Sequence, residues 1–401
     1  MPKHVEFRSD NVALADGKPL FPLIARHMPI GAKAALLHQV GFNAIRWTPF
    51  GMDADEQNAP RVPDDFGGLM FSTYVYNRGD LSTQVDRRSR ELGELVNAVK
   101  DHPDLLCYEQ RNEPAYTHRD RATPQSPAEG MIAGSRLIRS IDPHHPIRVG
   151  HMCCNLASTL QQYNPAVEVV GCNPYVVMAP GMRPFVGTRS EGTLIDGPDQ
   201  TLSAVGQYTG KMMRVAQGRP VWMQVQGAAN ENWFSPEHTP ENRDLGLYEH
   251  HRLYPSRWQM RFMAFNAIIS GATGLEWMLY KLPVDGGAWV ELCQVIGELK
   301  HLHDLLASPT LGHRLEVSYT ELGFSDWDGV QTLVKLHKGG PWILAANTQF
   351  DPMIATLNNL PDGMGSKVSV CGEDRDLPIR NGTVCDRFQP YEVHIYGPCT
   401  S

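Results

Sequence analysis

The chain has 401 residues, 42% of them hydrophobic and 20% charged, with 36 glycines and 30 prolines; this excludes a disordered segment or a fibre and leaves room for one large packed domain plus a small one. Against 44 acidic residues stand 36 basic ones, a net charge of -8, so nothing draws the chain to a nucleic acid or an acidic membrane surface. Every apolar stretch falls short of the ~20 residues of a membrane span. The N-terminus turns charged before any run that could act as a signal peptide, so the expectation is a cytoplasmic protein whose eight scattered cysteines are reduced thiols.

From residue 20 onward, short apolar runs alternate with amphipathic stretches, the pattern of βα units closing a parallel sheet. Eight runs are expected as strands: 21–25, 43–47, 69–76, 105–111, 146–152, 167–172, 220–226 and 274–279. Apolar residues at three- and four-residue spacing predict helices over 32–40, 86–100, 128–141, 202–216, 258–269 and 289–306. Between the second and third runs, 51–68 carries Pro60 and Pro63 without apolar periodicity, so a helix is missing there or replaced by an irregular loop. Beyond residue 307 the character changes to alternating strands, at 330–337, 342–346, 353–357, 368–370 and 391–396, separated by turn residues. The expected architecture is therefore an α/β (β/α)8 TIM barrel over 1–307 followed by a small C-terminal β-sandwich over 308–401.

In such a barrel the reactive groups sit at the C-terminal ends of the strands. The fourth run ends Glu109-Gln110-Arg111-Asn112-Glu113-Pro114, and period-two alternation predicts Glu109, Arg111 and Glu113 on the face towards the barrel axis. A carboxyl group there can donate a proton to a leaving oxygen when burial raises its pKa. The bland alternative is a turn and a solvated helix N-terminus that attracts an acidic residue.

On these residues the chain resembles the clan A glycoside hydrolases, (β/α)8 barrels whose fourth strand ends in an Asn-Glu-Pro bearing the acid/base glutamate. The resemblance implies Glu113 as acid/base, Asn112 as the neighbour that binds a sugar hydroxyl, and Glu109 as a glutamate often found within that strand. It extends to Gly41-Phe42-Asn43-Ala44-Ile45-Arg46, where Arg46 would sit near the catalytic carboxylates, to Arg-Pro-Val-Trp at 219–222, to Gly-Ala-Thr-Gly-Leu-Glu-Trp at 271–277, and to the terminal sandwich.

The seventh run departs from the family. A retaining enzyme places its nucleophilic glutamate there, yet 220–227 reads Pro-Val-Trp-Met-Gln-Val-Gln-Gly without a carboxylate. Glu276 on the eighth run, ahead of Glu231 in the loop after the seventh, is the expected replacement; the alternatives are an outward residue paired in the helix layer and an exposed loop charge. The expected binding surface comprises Tyr175, Gln226, Trp277, Trp233 and His27, with further aromatic and histidine residues (Phe234, Tyr248, His250, His251, Tyr254) in the long loop after the seventh strand. Arg26, Arg46 and Arg111 fall near strand ends and could grip a carboxylate or sulfate on the sugar, unless they are spent on internal pairs.

The function expected is cleavage of an O-glycosidic bond in a small saccharide or oligosaccharide by Glu113 and a second carboxylate. An inverting or substrate-assisted enzyme on the same fold, or an inactive sugar-binding protein, is the alternative. The expected partner is a carbohydrate, with no metal or cofactor implied; the chain does not decide between a monomer and a homo-oligomer.

Overall fold

A computed structural model describes residues 4–49, 62–116, 123–177, 201–230, 232, 252–320 and 329–398. Its centre is an eight-stranded parallel sheet: β1 (Leu23–Arg26), β2 (Ala44–Trp47), β3 (Met70–Tyr74), β4 (Leu105–Glu109), β5 (Ile147–His151), β6 (Val169–Cys172), β7 (Trp222–Gln226) and β8 (Gly274–Met278). Neighbours follow chain order, β8 pairs with β1, and the remaining seam between β6 and β7 is bridged at Val170 and Val221, where Val170 N–H donates to the Pro220 carbonyl at 3.1 Å. Gly171 makes this approach feasible, since a Cβ there would lie 1.8 Å from the Trp222 carbonyl oxygen. All eight strands fall within the runs expected from sequence or overlap them within two residues.

Period two divides the strand residues between barrel interior and helix layer. Ile24, Ala44, Met70, Cys107, Val169 and Trp222 form an apolar layer inside the lower barrel, joined by Val5 and Ala13. Those two belong to an N-terminal antiparallel sheet (Val5–Phe7, Ala13–Ala15, Lys18–Leu20) that plugs the N-terminal pole, with the Phe7 ring 6.2 Å from that of Trp222. Two residues further along the same strands the interior turns polar, at Arg26, Ser72, Glu109 and Gln224. The barrel is thus sealed at one pole and charged towards the other.

The surrounding helices are α1 (Ala34–Val40), α2 (Val85–Val99), α3 (Ala128–Ile141), α4 (Ala157–Gln161), α5 (Ala204–Ala216), α6 (Arg257–Ile269) and α7 (Gly287–His301), the last followed by a short turn of helix at His303–Leu306. The longer ones bury an apolar stripe, such as Leu92, Leu95, Val96 and Val99 on α2. Ser256 starts α6 with a capping box to Gln259. That helix is buried nearly all round, because its outer side carries the C-terminal domain.

This domain pairs a three-stranded sheet (Glu316–Tyr319, Met353–Asn358, Val384–Phe388) with a five-stranded one (Val330–His337, Gly340–Asn347, Val393–Pro398, Lys367–Val370, Asp376–Pro378), all antiparallel. Its inner faces enclose a core of their own around Val334, Leu357, Val368 and Phe388. The barrel core continues into the domain through Leu344, Ala346, Val393 and Ile395, and Arg261 of α6 donates to the Val393 carbonyl at 2.8 Å. None of the seven described cysteines forms a disulfide with another of them, and Cys385 is exposed rather than buried. No described helix is long and apolar enough to cross a membrane.

One buried cation ties the two domains at the chain crossover. Lys335, 4% exposed on the sandwich, donates to the carbonyls of Leu306 and Ser308 at 2.8 and 2.9 Å, and so caps the last helical turn of the barrel. Lys335→Met should strand both acceptors and lower unfolding free energy by about 1–3 kcal/mol, read from the midpoint of urea unfolding at unchanged slope.

Candidate active site

β4 ends at Glu109, so the alternation expected to carry through Arg111 and Glu113 stops there. Glu109 points into the barrel and is fully buried. Arg111 has left the axis: its Nε and Nη2 donate to Gln125 Oε1 at 3.0 and 2.6 Å, and its guanidinium lies 5.3 Å over the Tyr76 ring. The next two residues turn back over the barrel mouth. Glu113 adopts φ +54°, an unusual left-handed conformation for a residue with a side chain. Its amide donates to the Gly150 carbonyl of β5 at 2.7 Å, and its own carbonyl accepts from Tyr116.

Asn173, just past β6, donates a short hydrogen bond from Nδ2 to Glu113 Oε1. The carboxyl group is therefore held by a backbone turn from one side and by an amide from the other, at the pole where barrel enzymes work. Asn112 lies across β5, where Gly150 leaves room; a Cβ there would be 2.9 Å from Asn112 Oδ1. That oxygen is buried without a hydrogen-bond partner, and the Asn112 amide approaches the Tyr74 hydroxyl at 3.4 Å.

Beneath this turn lies a buried ion cluster. Arg148 of β5 binds Glu276 of β8 with two bonds, Nη1 to Oε1 at 2.9 Å and Nη2 to Oε2 at 3.0 Å. Arg26 Nη1 bridges Glu276 Oε2 and Glu109 Oε1, both at 3.1 Å. Arg46 Nε lies 3.0 Å from Glu109 Oε2, and its guanidinium covers the Tyr74 ring at 3.6 Å. Burial by itself would raise the Glu276 pKa, but Arg148 and Arg26 overcome it and hold the carboxyl well below its usual value. Glu276 faces inward, not into the helix layer.

Tyr175, in the segment after β6, is close enough to feel both the cluster and Glu113. Burial pushes its hydroxyl pKa up against the pull of Arg26, and the carboxylates of Glu113 and Glu276 add to the rise. His27 at the end of β1 also takes a left-handed φ, of 65°, with its ring 5.3 Å from that of Tyr280. Burial first, then Arg26 and Arg46, lower its pKa well below the ordinary 6.5, so its ring is neutral at neutral pH.

Two expected binding residues are engaged elsewhere. Gln226 is fully buried; its Oε1 accepts from Val177 N–H at 3.0 Å while Nε2 donates to the carbonyls of Val177 at 2.7 Å and Ala228 at 3.1 Å. It clamps the segment after β6 rather than presenting an amide to a ligand. Trp277 alternates with the inward Glu276 and packs in the barrel–helix core, fully buried. Tyr254 packs partly buried against that core, while Glu231, Trp233, Phe234, Tyr248, His250 and His251 lie outside the described residues.

Sequence reasoning missed Arg148, Asn173 and Tyr74. Arg148 had a visible signal, a lone cation in the middle of an apolar run, as Arg46 is in its own. Asn173 and Tyr74 had none, because their roles depend on which strands become neighbours. No group of three or more histidine, cysteine or acidic side chains among the described residues is arranged to hold a metal ion.

No family model matches the chain, and no curated protein does. Solved structures do match along nearly its whole length. A glycoside hydrolase family 5 protein from Bacteroides vulgatus superposes with a TM-score of 0.57 at 11% identity, covering 98% of this chain and 93% of that one. An alpha-amylase from Anoxybacillus gives 0.54 at 10% identity, over 99% and 100%. A glycoside hydrolase family 30 subfamily 8 xylanase from Clostridium acetobutylicum gives 0.50 at 12% identity, over 98% and 97%. The protein shares with these glycoside hydrolases the fold of a (β/α)8 barrel followed by a C-terminal β-domain.

Proposed function

We propose that the protein hydrolyses an O-glycosidic bond in a small saccharide or oligosaccharide, with Glu113 as the proton donor. The observation that carries this reading is the placement of the Glu113 carboxyl: on a left-handed turn directly after Asn112, past the C-terminal end of β4, and gripped by Asn173. A carboxyl group so fixed, and still partly exposed, suits proton transfer to a leaving oxygen. The unpartnered Asn112 Oδ1 beside it is a ready acceptor for a sugar hydroxyl.

The second chemical group is a separate matter. Both Glu276 oxygens are bound by guanidinium groups and buried, which suits a structural anion better than a nucleophile. On this reading the anomeric carbon is attacked by water or by a group of the substrate, the inverting or substrate-assisted routes, with Glu231 as the remaining sequence candidate for a base. The absence of a carboxylate from Trp222–Gln226 favours one further reading, a sugar-binding protein without catalysis.

A panel of aryl glycosides and oligosaccharides assayed with the wild type and Glu113→Gln separates these readings. Hydrolysis reduced in the variant by about 10²-fold or more is the expected result. Binding by both proteins with turnover by neither would replace the enzyme with a sugar-binding protein.

Glu276→Gln tests the structural anion. It should leave Arg26 and Arg148 without their shared carboxylate and destabilise the fold by about 3–5 kcal/mol, read from chemical denaturation; a stable, inactive variant would return Glu276 to the nucleophile's role. The wild type should also respond to acid. Because the folded pKa is depressed from the ordinary 4.5, the stability that Glu276 contributes is present above that pH and drains away as pH falls below it. Melting temperatures between pH 6 and 3 should accordingly fall less steeply in Glu276→Gln than in the wild type.

A further inference from the structure

The ion cluster at the floor of the barrel mouth does not balance. Three guanidinium groups, Arg26, Arg46 and Arg148, face two carboxylates, Glu109 and Glu276, so among the described residues one positive charge is left over. The imbalance falls on one member. Arg26 bridges both carboxylates and Arg148 binds Glu276 with two bonds, whereas Arg46 has an ion pair to Glu109 that is too bent to count as a hydrogen bond.

The Nε and Nη2 atoms of Arg46 are both buried without a hydrogen-bond partner, and its side chain is only 6% exposed. Those two N–H groups form one edge of the planar guanidinium, the edge that takes a carboxylate by two parallel bonds. The face of the group is occupied by the Tyr74 ring at 3.6 Å, and the Tyr74 hydroxyl approaches the Asn112 amide. Arg46 is therefore one aromatic ring away from the turn that carries Glu113. The electrostatics agree: the carboxylates raise the pKa of Arg26 and of Arg148 in spite of burial, while for Arg46 burial and the repulsion of Arg26 prevail and lower it.

We infer that the sugar bound at this pole carries a carboxylate, a uronic acid unit, and that Arg46 receives it. This rests on the carbohydrate reading above and adds the substrate class to it. The bound carboxylate supplies the negative charge that the cluster lacks and gives the buried guanidinium edge the acceptors it does not have in this structure; a neutral sugar's hydroxyls can accept from the edge but bring no charge. Arg111, the other cation near the mouth, is already held by Gln125 and is not needed.

Calorimetric titration of the full chain at fixed ionic strength with glucuronate and galacturonate, their neutral parents glucose and galactose, and acetate tests the inference. We expect at least one uronate to bind about tenfold or more tighter than its parent, the scale of one charge-assisted bidentate contact. The preference should vanish in Arg46→Gln and survive in part in Arg46→Lys. The wild-type comparison is decisive by itself, whatever the stability of the variants. Equal affinity for a uronate and its parent would overturn the uronate inference while supporting the carbohydrate reading. Acetate binding as tightly as the uronates would reduce the site to a free-anion site and overturn it as well. No binding by any sugar would count against both readings.

Discussion

Five charges, Arg26, Arg46, Arg148, Glu109 and Glu276, are buried together inside the barrel. Each guanidinium and carboxylate gives up several kcal/mol of hydration on entering the interior, and only close, well-directed pairing offsets that. Arg26 links β1 to β4 and β8, Arg148 links β5 to β8, and Arg46 brings in β2. Five of eight strands are thereby braced across the axis. The apolar layer below, from Ile24 to Trp222, excludes water from one side and strengthens the pairs. The same layer confines the charge to the pole where Glu113 and Tyr175 stand, so the barrel's packing and the polarity of its mouth have one origin.

Much of the fold was legible because it rests on local regularities. Each barrel strand is a short apolar run, and each large helix repeats its apolar residues at the helical period. The elements that escaped are too short for a period to register or carry a charged residue inside it. The three N-terminal strands have three residues each, too few for alternation to register. Val384–Phe388 does alternate, but its central inward residue is Asp386, which reads as a turn. Arg375 at 2.8 and 3.0 Å and the Tyr396 hydroxyl at 2.8 Å make that carboxylate tolerable inside the sandwich, and none of these partners is visible from spacing.

The site was less legible than the fold, for a related reason. Glu109 and Glu113 were found because the strand's ordinal position in a barrel singles out its C-terminal end. Their environment was not found, since the residues that pair with them come from strands far away in sequence: Arg26 is 83 positions from Glu109, Arg148 128 from Glu276, and Asn173 60 from Glu113. Sequence alternation placed Glu276 correctly beside Trp277 but could not say which of the two faced inward. The aromatic residue turned out to belong to the helix layer, and the acidic one to the axis.

The amides of β7 connect these observations. Gln226 meets both the N–H and the carbonyl of Val177, as well as the Ala228 carbonyl. Only a side chain with an acceptor and a donor can do that; a carboxylate in its place would face two carbonyl oxygens and repel them. The segment after β6, which also carries Asn173 and Tyr175, is thus fixed by an uncharged side chain at the end of β7. Gln224, the inward residue between Trp222 and Gln226, pairs in register with Glu276 and adds no charge. With a neutral seventh strand, Glu109 and Glu276 are the carboxylates that face the three guanidinium groups among the described residues. The excess charge at Arg46 and the loop anchor at Gln226 both go with a seventh strand whose inward polar side chains are amides.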